Sequence, residues 1–304
     1  MTKMRAAILG SGNIGCDLLV KVLRSPTLCC SAFIGRNAAS EGLAWARSLN
    51  VAVSADGITY LQKNADSFDI VFDATSASAH RLHAPILQRL GKFVVDLTPA
   101  KVGQMCVPAV NIAACLQSRN VNMVTCGGQA AIPIAHAISQ VHPRAPYMEV
   151  ISSIASRSAG PATRLNLDEY IQTTELGVLH YSGAQRCKAI LNLNPAVPCV
   201  NMQTTLLAKV VEPDLARLQP ILTALVTKMR TYVPGYELLV GPLVDHGRIV
   251  VTVRVKGLGD FLPEYAGNLD IINCAALATA ESFALACQQH LPLRERPPTP
   301  CNAY

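Results

Sequence analysis

The sequence predicts an α/β chain: a doubly wound parallel sheet, followed by a second α+β domain built on a mixed sheet. Three observations predict it. Over the first part of the chain, short apolar runs of strand length alternate with segments whose apolar residues recur at helical spacing. A glycine-rich loop separates the first run from the first helical segment. After about residue 145 the pattern changes to longer strands interrupted by two long helical segments.

Each element is justified in turn. "RAAIL" (5–9) reads as a strand and "GSGNIG" (10–15) as a glycine loop. Residues 13–24 place Ile14, Leu18, Leu19 and Val22 on one helical face. "LCCSAFI" (28–34) is a second strand and "ASEGLAWARSL" (39–49) a second helix. "FDIVFDA" (68–74) and "KFVVDL" (92–97) are apolar runs of buried-strand length, with a helix at 78–90 between them, and "VNMVT" (121–125) is another short strand. Strands separated by helices form βαβ units, whose parallel sheet is covered on both faces. Further on, "YMEVISSIAS" (147–156), "AILNLN" (189–194), "VNMQTTLLAKVV" (200–211) and "GRIVVTVRVKG" (247–257) read as strands. Helices near 167–182 and 213–230 lie among them, which gives a mixed sheet with helices on one face. A final helix over 268–290, rich in small and apolar residues, is expected to return to the first domain. The expected boundaries are a dinucleotide-binding domain over 1–130 completed by helix 268–290, a catalytic and oligomerisation domain over 131–267, and a proline-rich tail over 291–304.

Composition narrows the function. The 304 residues carry a net charge of +6 without a basic block, which does not argue for nucleic acid. No uninterrupted apolar run approaches the roughly 20 residues that span a bilayer. The N-terminus has no basic head followed by an apolar stretch and a cleavage site, so the expected location is cytoplasmic. The eleven cysteines are irregularly spaced and form no paired CxxC motifs, so a zinc site is not expected and free thiols are.

The loop Gly10-Ser11-Gly12-Asn13-Ile14-Gly15 has a physical reason for each glycine. The first makes a tight turn, the second lets the backbone approach a pyrophosphate, and the third lets the helix pack closely on the strand. The helix N-terminus adds N–H donors and partial positive charge. Glycine loops also occur as plain turns. This one lies between an N-terminal strand and a helix with a second strand following, which is the Rossmann-type context for a nicotinamide dinucleotide. NAD enzymes usually carry Asp or Glu at the end of the second strand for the ribose 2′-OH. Here the chain reads Gly35-Arg36-Asn37, so the carboxylate is absent. Arg36 could face the 2′-phosphate of NADP, or be an ordinary solvated arginine.

The stretch "VTCGGQAAIP" (124–133) puts Cys126 at the expected end of a strand, with Gln129 opening a helix. Open α/β sheets bind ligands at that edge. A helix N-terminus lowers a thiol pKa, and Gly127 and Gly128 leave the sulfur uncrowded with N–H groups available to an oxyanion. A thiolate can attack an aldehyde, and loss of hydride to a nicotinamide then leaves a thioester on the enzyme. The alternative is a small cysteine filling a gap. His136 reads as a helix-face residue and His80 and His83 flank a helix start, none of them as a base, and Asp168 and Glu169 suit the first turn of a helix on dipole grounds alone.

The segments "ILGSGNIGCDLLVKVLR", "DIVFDATSASAH", "DLTPA", "VPAVNI", "NVNMVTCGGQAAIP", "SSIASRSAGPATRLNLDEY", "LNPAVP" and "YAGNLDIINCAALATAE" together resemble the acylating acetaldehyde dehydrogenases of aromatic meta-cleavage pathways, in order from about residue 4 to 285. The resemblance implies conversion of acetaldehyde, NAD and coenzyme A to acetyl-CoA, with a 4-hydroxy-2-oxovalerate aldolase as partner. It implies that Cys126 carries the acyl group and that Ser11 to Ile14 hold the pyrophosphate. It also implies that Ser158, Ala159, Gly160, Pro161, Ala162, Thr163, Arg164, Leu165 and Asn166, with Asn268, line the nicotinamide site. Three departures stand out. Family members carry an acidic residue where Asn37 stands. They read "GPGTR" where this chain has Gly160-Pro161-Ala162-Thr163-Arg164. They also read "RDT", whose aspartate assists the thiol, where this chain has Gln203-Thr204-Thr205.

Three functions are therefore expected in order: an NAD(P)-dependent acylating aldehyde dehydrogenase on a short aldehyde with coenzyme A; an NADPH-dependent reductase of a less simple acyl thioester; and an inactive dinucleotide-binding partner subunit. A homo-oligomer is expected in each case.

Overall fold

A computed structural model describes residues 2–290, and the expected tail lies outside the described residues. In chain order the elements are β1 (Met4–Leu9), α1 (Asn13–Arg24), β2 (Leu28–Ile34), α2 (Glu41–Ser48), β3 (Val53–Ser54), α3 (Ile58–Lys63), β4 (Ile70–Asp73), α4 (Ala77–Arg89), β5 (Phe93–Asp96), β6 (Gln104–Met105), α5 (Pro108–Cys115) and β7 (Asn120–Asn122). They continue with α6 (Cys126–Val141), β8 (Tyr147–Ala155), α7 (Pro161–Leu165), α8 (Leu167–Ser182), β9 (Cys187–Asn194), β10 (Met202–Lys209), α9 (Leu215–Arg230), β11 (Tyr236–Asp245), β12 (Arg248–Val255) and α10 (Gly267–His290). The chain divides into two compact units. One takes the residues up to Cys106, Ile112–Asn122 and those from Ala276 onward. The other takes Val107–Asn111 and Met123–Ala275.

The first unit is a seven-stranded sheet in the order β3-β2-β1-β4-β5-β7-β6, with every pair parallel. The order reverses direction between β1 and β4, which makes the carboxyl ends of those strands the switch point where such sheets take ligands. The apolar runs form the middle of the sheet because helices cover both faces. Ala7, Leu9, Ala32, Ile34, Val71 and Val94 meet Leu61, Phe68 and Leu87 in one buried cluster. The distal part of α10 belongs to this unit. Phe283 stacks on Phe93 with ring centroids 3.9 Å apart, and Glu281 accepts a hydrogen bond from Ser25.

The second unit is a five-stranded sheet in the order β11-β12-β10-β8-β9, in which only β8 and β9 run parallel. Strict alternation gives it one buried face. Met148, Val150 and Ile154 on β8, Met202, Leu206 and Ala208 on β10, and Ile249, Val251, Val253 and Val255 on β12 are all buried. Two hydroxyl residues interrupt these apolar rows: Ser152 and Thr204, opposite each other in the β8–β10 ladder and both buried.

The expected α/β fold with a mixed second sheet is the one observed. Several local expectations change. The strand expected over 121–125 ends at Asn122, and the helix expected from Gln129 begins at Cys126. Val124, at φ +60°, breaks the strand in the left-handed region, and Thr125 then caps the helix by accepting from the Gly128 N–H at 2.8 Å. Strand β11 and helix α5 had no expectation, because Tyr236–Asp245 carries glycine and proline and Pro108–Cys115 is broken at Asn111.

Candidate active site

The site is built outward from Cys126. This residue is not a strand end but the first residue of α6, half-buried, with Gly127 and Gly128 inside the first helical turn. Its sulfur lies 3.6 Å from the hydroxyl oxygen of Tyr170, on α8. Tyr170 is buried, and its hydroxyl is also reached by Ser152 and by the Gly127 N–H. Ser152 Oγ in turn lies 3.0 Å from Thr204 Oγ1. Four groups far apart in sequence thus form one line: Cys126 Sγ, Tyr170 Oη, Ser152 Oγ and Thr204 Oγ1. A second set of bonds ties the two helices at the same point. Thr174 donates to the Tyr170 carbonyl at 2.8 Å, and the Thr125 and Thr174 hydroxyls are 2.7 Å apart.

Gly127 is glycine for a steric reason. A Cβ there would collide with the Tyr170 hydroxyl and come within 3.0 Å of Ser152 Oγ. Val124, two residues before the cysteine, carries a strained backbone, of the kind that costs about 1–3 kcal/mol and persists where the surroundings enforce it.

The electrostatics differ from the expectation of a lowered thiol. Burial pushes the Cys126 thiol above its ordinary value. The Tyr170 hydroxyl and the backbone N–H groups of Gly127 and Cys126 pull it back only in part. A helix N-terminus favours the thiolate, but desolvation disfavours any charged form and here it is the larger effect. Burial, followed by the neighbouring Cys126, holds the Tyr170 phenol well above its ordinary value, so it is a neutral donor at neutral pH.

The glycine loop lies in the first unit. Gly10 sits at φ +126°, and its N–H donates to the Ile34 carbonyl at 2.8 Å. Gly15 must be glycine, since a Cβ there would run into the Gly10 carbonyl. A Cβ on Gly12 would meet nothing, and Gly12 caps α1 without a side-chain bond. The Ser11 hydroxyl lies 2.8 Å from that of Ser40. Arg36 is exposed just beyond β2, and Asn37 turns its Oδ1 back to the Ala39 N–H at 3.0 Å.

The other expected cofactor residues fall in the second unit. Ser158 and Ala159 are buried, and Ser158 donates to the Ala155 carbonyl. Gly160 has open space where a Cβ would stand, and it precedes α7, which spans Pro161, Ala162, Thr163, Arg164 and Leu165. Arg164 folds back on its own loop, donating to the Ala159 carbonyl and to Ser156. Leu165 is exposed. Asn166 caps α8, and its carbonyl accepts from the Tyr170 N–H at 2.9 Å, so this loop leads directly to the tyrosine beside Cys126. Asn268 is buried, and its Oδ1 has no partner among the described residues. His136 bonds the Tyr181 carbonyl, and Asp168 and Glu169 lie in the first turn of α8, all three in structural roles.

Tyr170 and Ser152 carry no local signal in the sequence. The available hint is general: a buried tyrosine on a helix needs a partner for its hydroxyl. Nothing in the spacing says that the partner lies 44 residues upstream.

A parallel sheet bearing a glycine loop, with a mixed-sheet unit bearing a cysteine at a helix start, defines a fold shared with a solved dehydrogenase. The chain is similar in fold to aspartate semialdehyde dehydrogenase II from Vibrio cholerae, with a TM-score of 0.61 at 13% identity, over 95% of this chain and 100% of that one. Closer relatives narrow this. The chain is 58% identical to an acetaldehyde dehydrogenase of Spirochaeta aurantia over 94% of its own length and 96% of the relative's, and 56% identical to one of Pectobacterium atrosepticum over 93% and 96%. Residues 126–263 match the family described as prokaryotic acetaldehyde dehydrogenase, dimerisation. The chain belongs to the acetaldehyde dehydrogenase family.

Proposed function

We propose that the chain is an acylating aldehyde dehydrogenase, interconverting a short aldehyde, coenzyme A and NAD(P)+ with the acyl-CoA and NAD(P)H through a thioester on Cys126. The observation that carries this reading is a half-buried cysteine at a helix start, in contact with a neutral buried hydroxyl, in a chain of the acetaldehyde dehydrogenase family. Acetaldehyde is the substrate named for the relatives and the first aldehyde to test.

The chain's own residues fit a nicotinamide dinucleotide. Gly10, Ser11, Gly12, Asn13, Ile14 and Gly15 would hold the pyrophosphate, with the open face at Gly12 and the helix start after it receiving the anion. Ser158 to Asn166 and Asn268 would line the nicotinamide, and the unpartnered Asn268 Oδ1 suits an amide donor. When bound, the nicotinamide supplies the hydride acceptor. The role of Cys126 is to form a C–S bond to the carbonyl carbon, carry the acyl group, and leave when the coenzyme A thiol takes it. The dimerisation description of the matching family supports a homo-oligomer. A 4-hydroxy-2-oxovalerate aldolase supplying the aldehyde belongs to the same proposal.

One observation favours the reductive direction with NADPH as a second reading. No carboxylate ends β2, and Arg36, exposed just beyond that strand, would meet a 2′-phosphate. The test of the first reading is direct. Incubation with acetyl-CoA should add an acetyl mass to the Cys126 peptide in the wild type and not in Cys126→Ser. An unlabelled wild-type peptide under conditions of turnover refutes it.

A further inference from the structure

We infer that Tyr170 is a catalytic residue that donates a hydrogen bond to the Cys126 thiolate, and that Ser152 and Thr204 are positioning residues that aim it. The inference rests on the reading of Cys126 as the acyl carrier and deepens it. Its basis is the line of hydroxyls that ends on the sulfur: Sγ to Tyr170 Oη at 3.6 Å, Tyr170 to Ser152, and Ser152 Oγ to Thr204 Oγ1 at 3.0 Å.

The chemistry of the members gives the line one direction. A thiolate can only accept, so Tyr170 must donate to it. The phenol oxygen, having spent its proton, accepts from Ser152 and from the Gly127 N–H. Ser152 accepts in turn from Thr204. Thr204 is buried and on the sheet's covered face, so the chain ends there and does not lead to solvent. It is therefore a donor chain rather than a proton wire. Each bond polarises the next in a low-dielectric setting, and the polarisation accumulates on the sulfur.

Burial of Ser152 and Thr204 supports the assignment. Both stand in rows otherwise filled by Met, Val, Ile, Leu and Ala, where an apolar residue would pack as well and a hydroxyl requires a partner. Their partners are each other and Tyr170. Gly127 leaves room for the phenol, because a Cβ there would collide with its hydroxyl.

The step served is the transfer of the acyl group. The thiolate of coenzyme A attacks the acyl carbon, the bond from that carbon to Cys126 Sγ breaks, and the electron pair returns to Sγ. The Tyr170 O–H meets that pair as it forms. In the reverse direction the same bond stabilises the attacking thiolate. Tyr170 gains and loses no proton in either direction, which agrees with a phenol held neutral by burial.

The test is the pH dependence of Cys126 alkylation by iodoacetamide, read as the mass of the Cys126 peptide in protein without cofactor. Tyr170→Phe keeps the ring and removes the donor. Alkylation at pH 7 should slow roughly tenfold or more, as expected for losing a hydrogen bond to a charged group. The profile should move to higher pH and reach the wild-type rate once the thiol is fully ionised. Thr204→Val should move it the same way by less, and Thr204→Ser should restore it. A Tyr170→Phe profile that coincides with the wild type, or moves to lower pH, overturns the inference. Should Tyr170→Phe not fold, coincident profiles for Thr204→Val and the wild type overturn it. Acetyl-CoA labelling of the same peptide separates the two readings. A tyrosine-dependent alkylation profile with no acetyl mass would sink the thioester reading while leaving the donor chain in place.

Discussion

Asp96→Asn should change the pH dependence of folding in the first unit, and the structure supplies the size. Asp73 ends β4, Asp96 ends β5, and His80 on α4 lies between them. His80 Nδ1 is 2.9 Å from Asp73 and its Nε2 is 3.4 Å from Asp96, with all three side chains fully buried. His83 reaches Asp73 at 2.8 Å, Asn120 Nδ2 lies 3.2 Å from His80, and Asn122 donates to Asp96 at 2.7 Å. Burial pushes the Asp96 carboxyl from 3.8 up to about 7, with Asp73 adding to the rise and His80 and Thr98 opposing it. Burial also pushes Asp73 up, but hydrogen bonds and charge from His80 and His83 outweigh it and hold that carboxyl at about 2. His80 is raised, because the two aspartates outweigh its burial.

The signs follow from linkage. Between about pH 4 and 7 the folded state holds a proton on Asp96 that the unfolded chain has released, so stability from this group falls as pH rises through that window. His80 acts in the same sense, its contribution present below its unfolded value and lost as pH rises through its higher folded value. Asp73 acts oppositely and only in acid, its contribution lost as pH falls from about 4 towards 2. One proton over roughly three pH units at about 1.4 kcal/mol each is about 4 kcal/mol as a ceiling. Sharing the proton with His80 brings the expected value to roughly 2–4 kcal/mol. Asparagine does not titrate, so any fixed cost of the substitution cancels between pH values. Urea unfolding followed by Trp45, the single tryptophan and a residue of this unit, isolates the event. From pH 5 to pH 8 about two pH units of that window are crossed, so the difference in stability between variant and wild type should shift by roughly 1–3 kcal/mol in the variant's favour. A difference that stays constant across that range refutes the reasoning.

Three further outcomes are expected. Cys126→Ser should retain dinucleotide binding, measured by quenching of Trp45, and lose turnover by roughly a thousandfold or more, because an unactivated hydroxyl is a poor nucleophile near neutral pH; near-normal turnover would exclude a covalent role for the residue. Arg36→Ala should weaken NADPH binding by about tenfold or more and leave NADH little changed, as for loss of one charge-assisted contact to a 2′-phosphate, and equal losses for both would show that Arg36 does not read that position. Gly127→Ala should destabilise the second unit by about 1–3 kcal/mol through overpacking against Tyr170 and slow alkylation of Cys126 at pH 7; a variant as stable and as reactive as the wild type would mean that the phenol has room to move.

The first unit was legible because its signals are local. Buried parallel strands read as apolar runs, and a glycine loop between strand and helix fixes where β1 ends and α1 begins. Gly10 and Gly15 are required on steric grounds, since side chains there would meet the Ala74 and Gly10 carbonyls, although for Gly10 that close approach differs from the tight turn expected. The edges of the second unit were less legible. β11 carries Gly241 and Pro242 within its span, and both lower strand propensity. The boundary at Cys126 was misjudged by three residues because Met123-Val124-Thr125 has strand propensity. The left-handed turn at Val124 and the cap at Thr125 depend on tertiary packing that β-branched residues do not announce.

Gly127 shows why the site itself was only half legible. Read along the chain, a glycine after a cysteine suggests an uncrowded sulfur and a free N–H for an oxyanion. In the fold that N–H serves both the Cys126 sulfur and the Tyr170 hydroxyl, and the missing Cβ is the space the phenol needs. The sulfur is not uncrowded either: burial raises its pKa and outweighs the helix start. A cysteine so placed needs a donor brought from elsewhere in the chain; Tyr170 on α8 is in reach of the sulfur, with Ser152 on β8 and Thr204 on β10 behind it. The threonine at position 204 then has a physical consequence. A carboxylate at position 204 would accept from Ser152 and draw the hydroxyl line away from the sulfur, whereas a threonine donates into it. On the inference drawn above, one buried side chain sets the polarity of the whole line, and Thr204→Asp should reverse it and slow alkylation of Cys126 at pH 7 relative to the wild type; an unchanged rate would show that position 204 does not act on the sulfur.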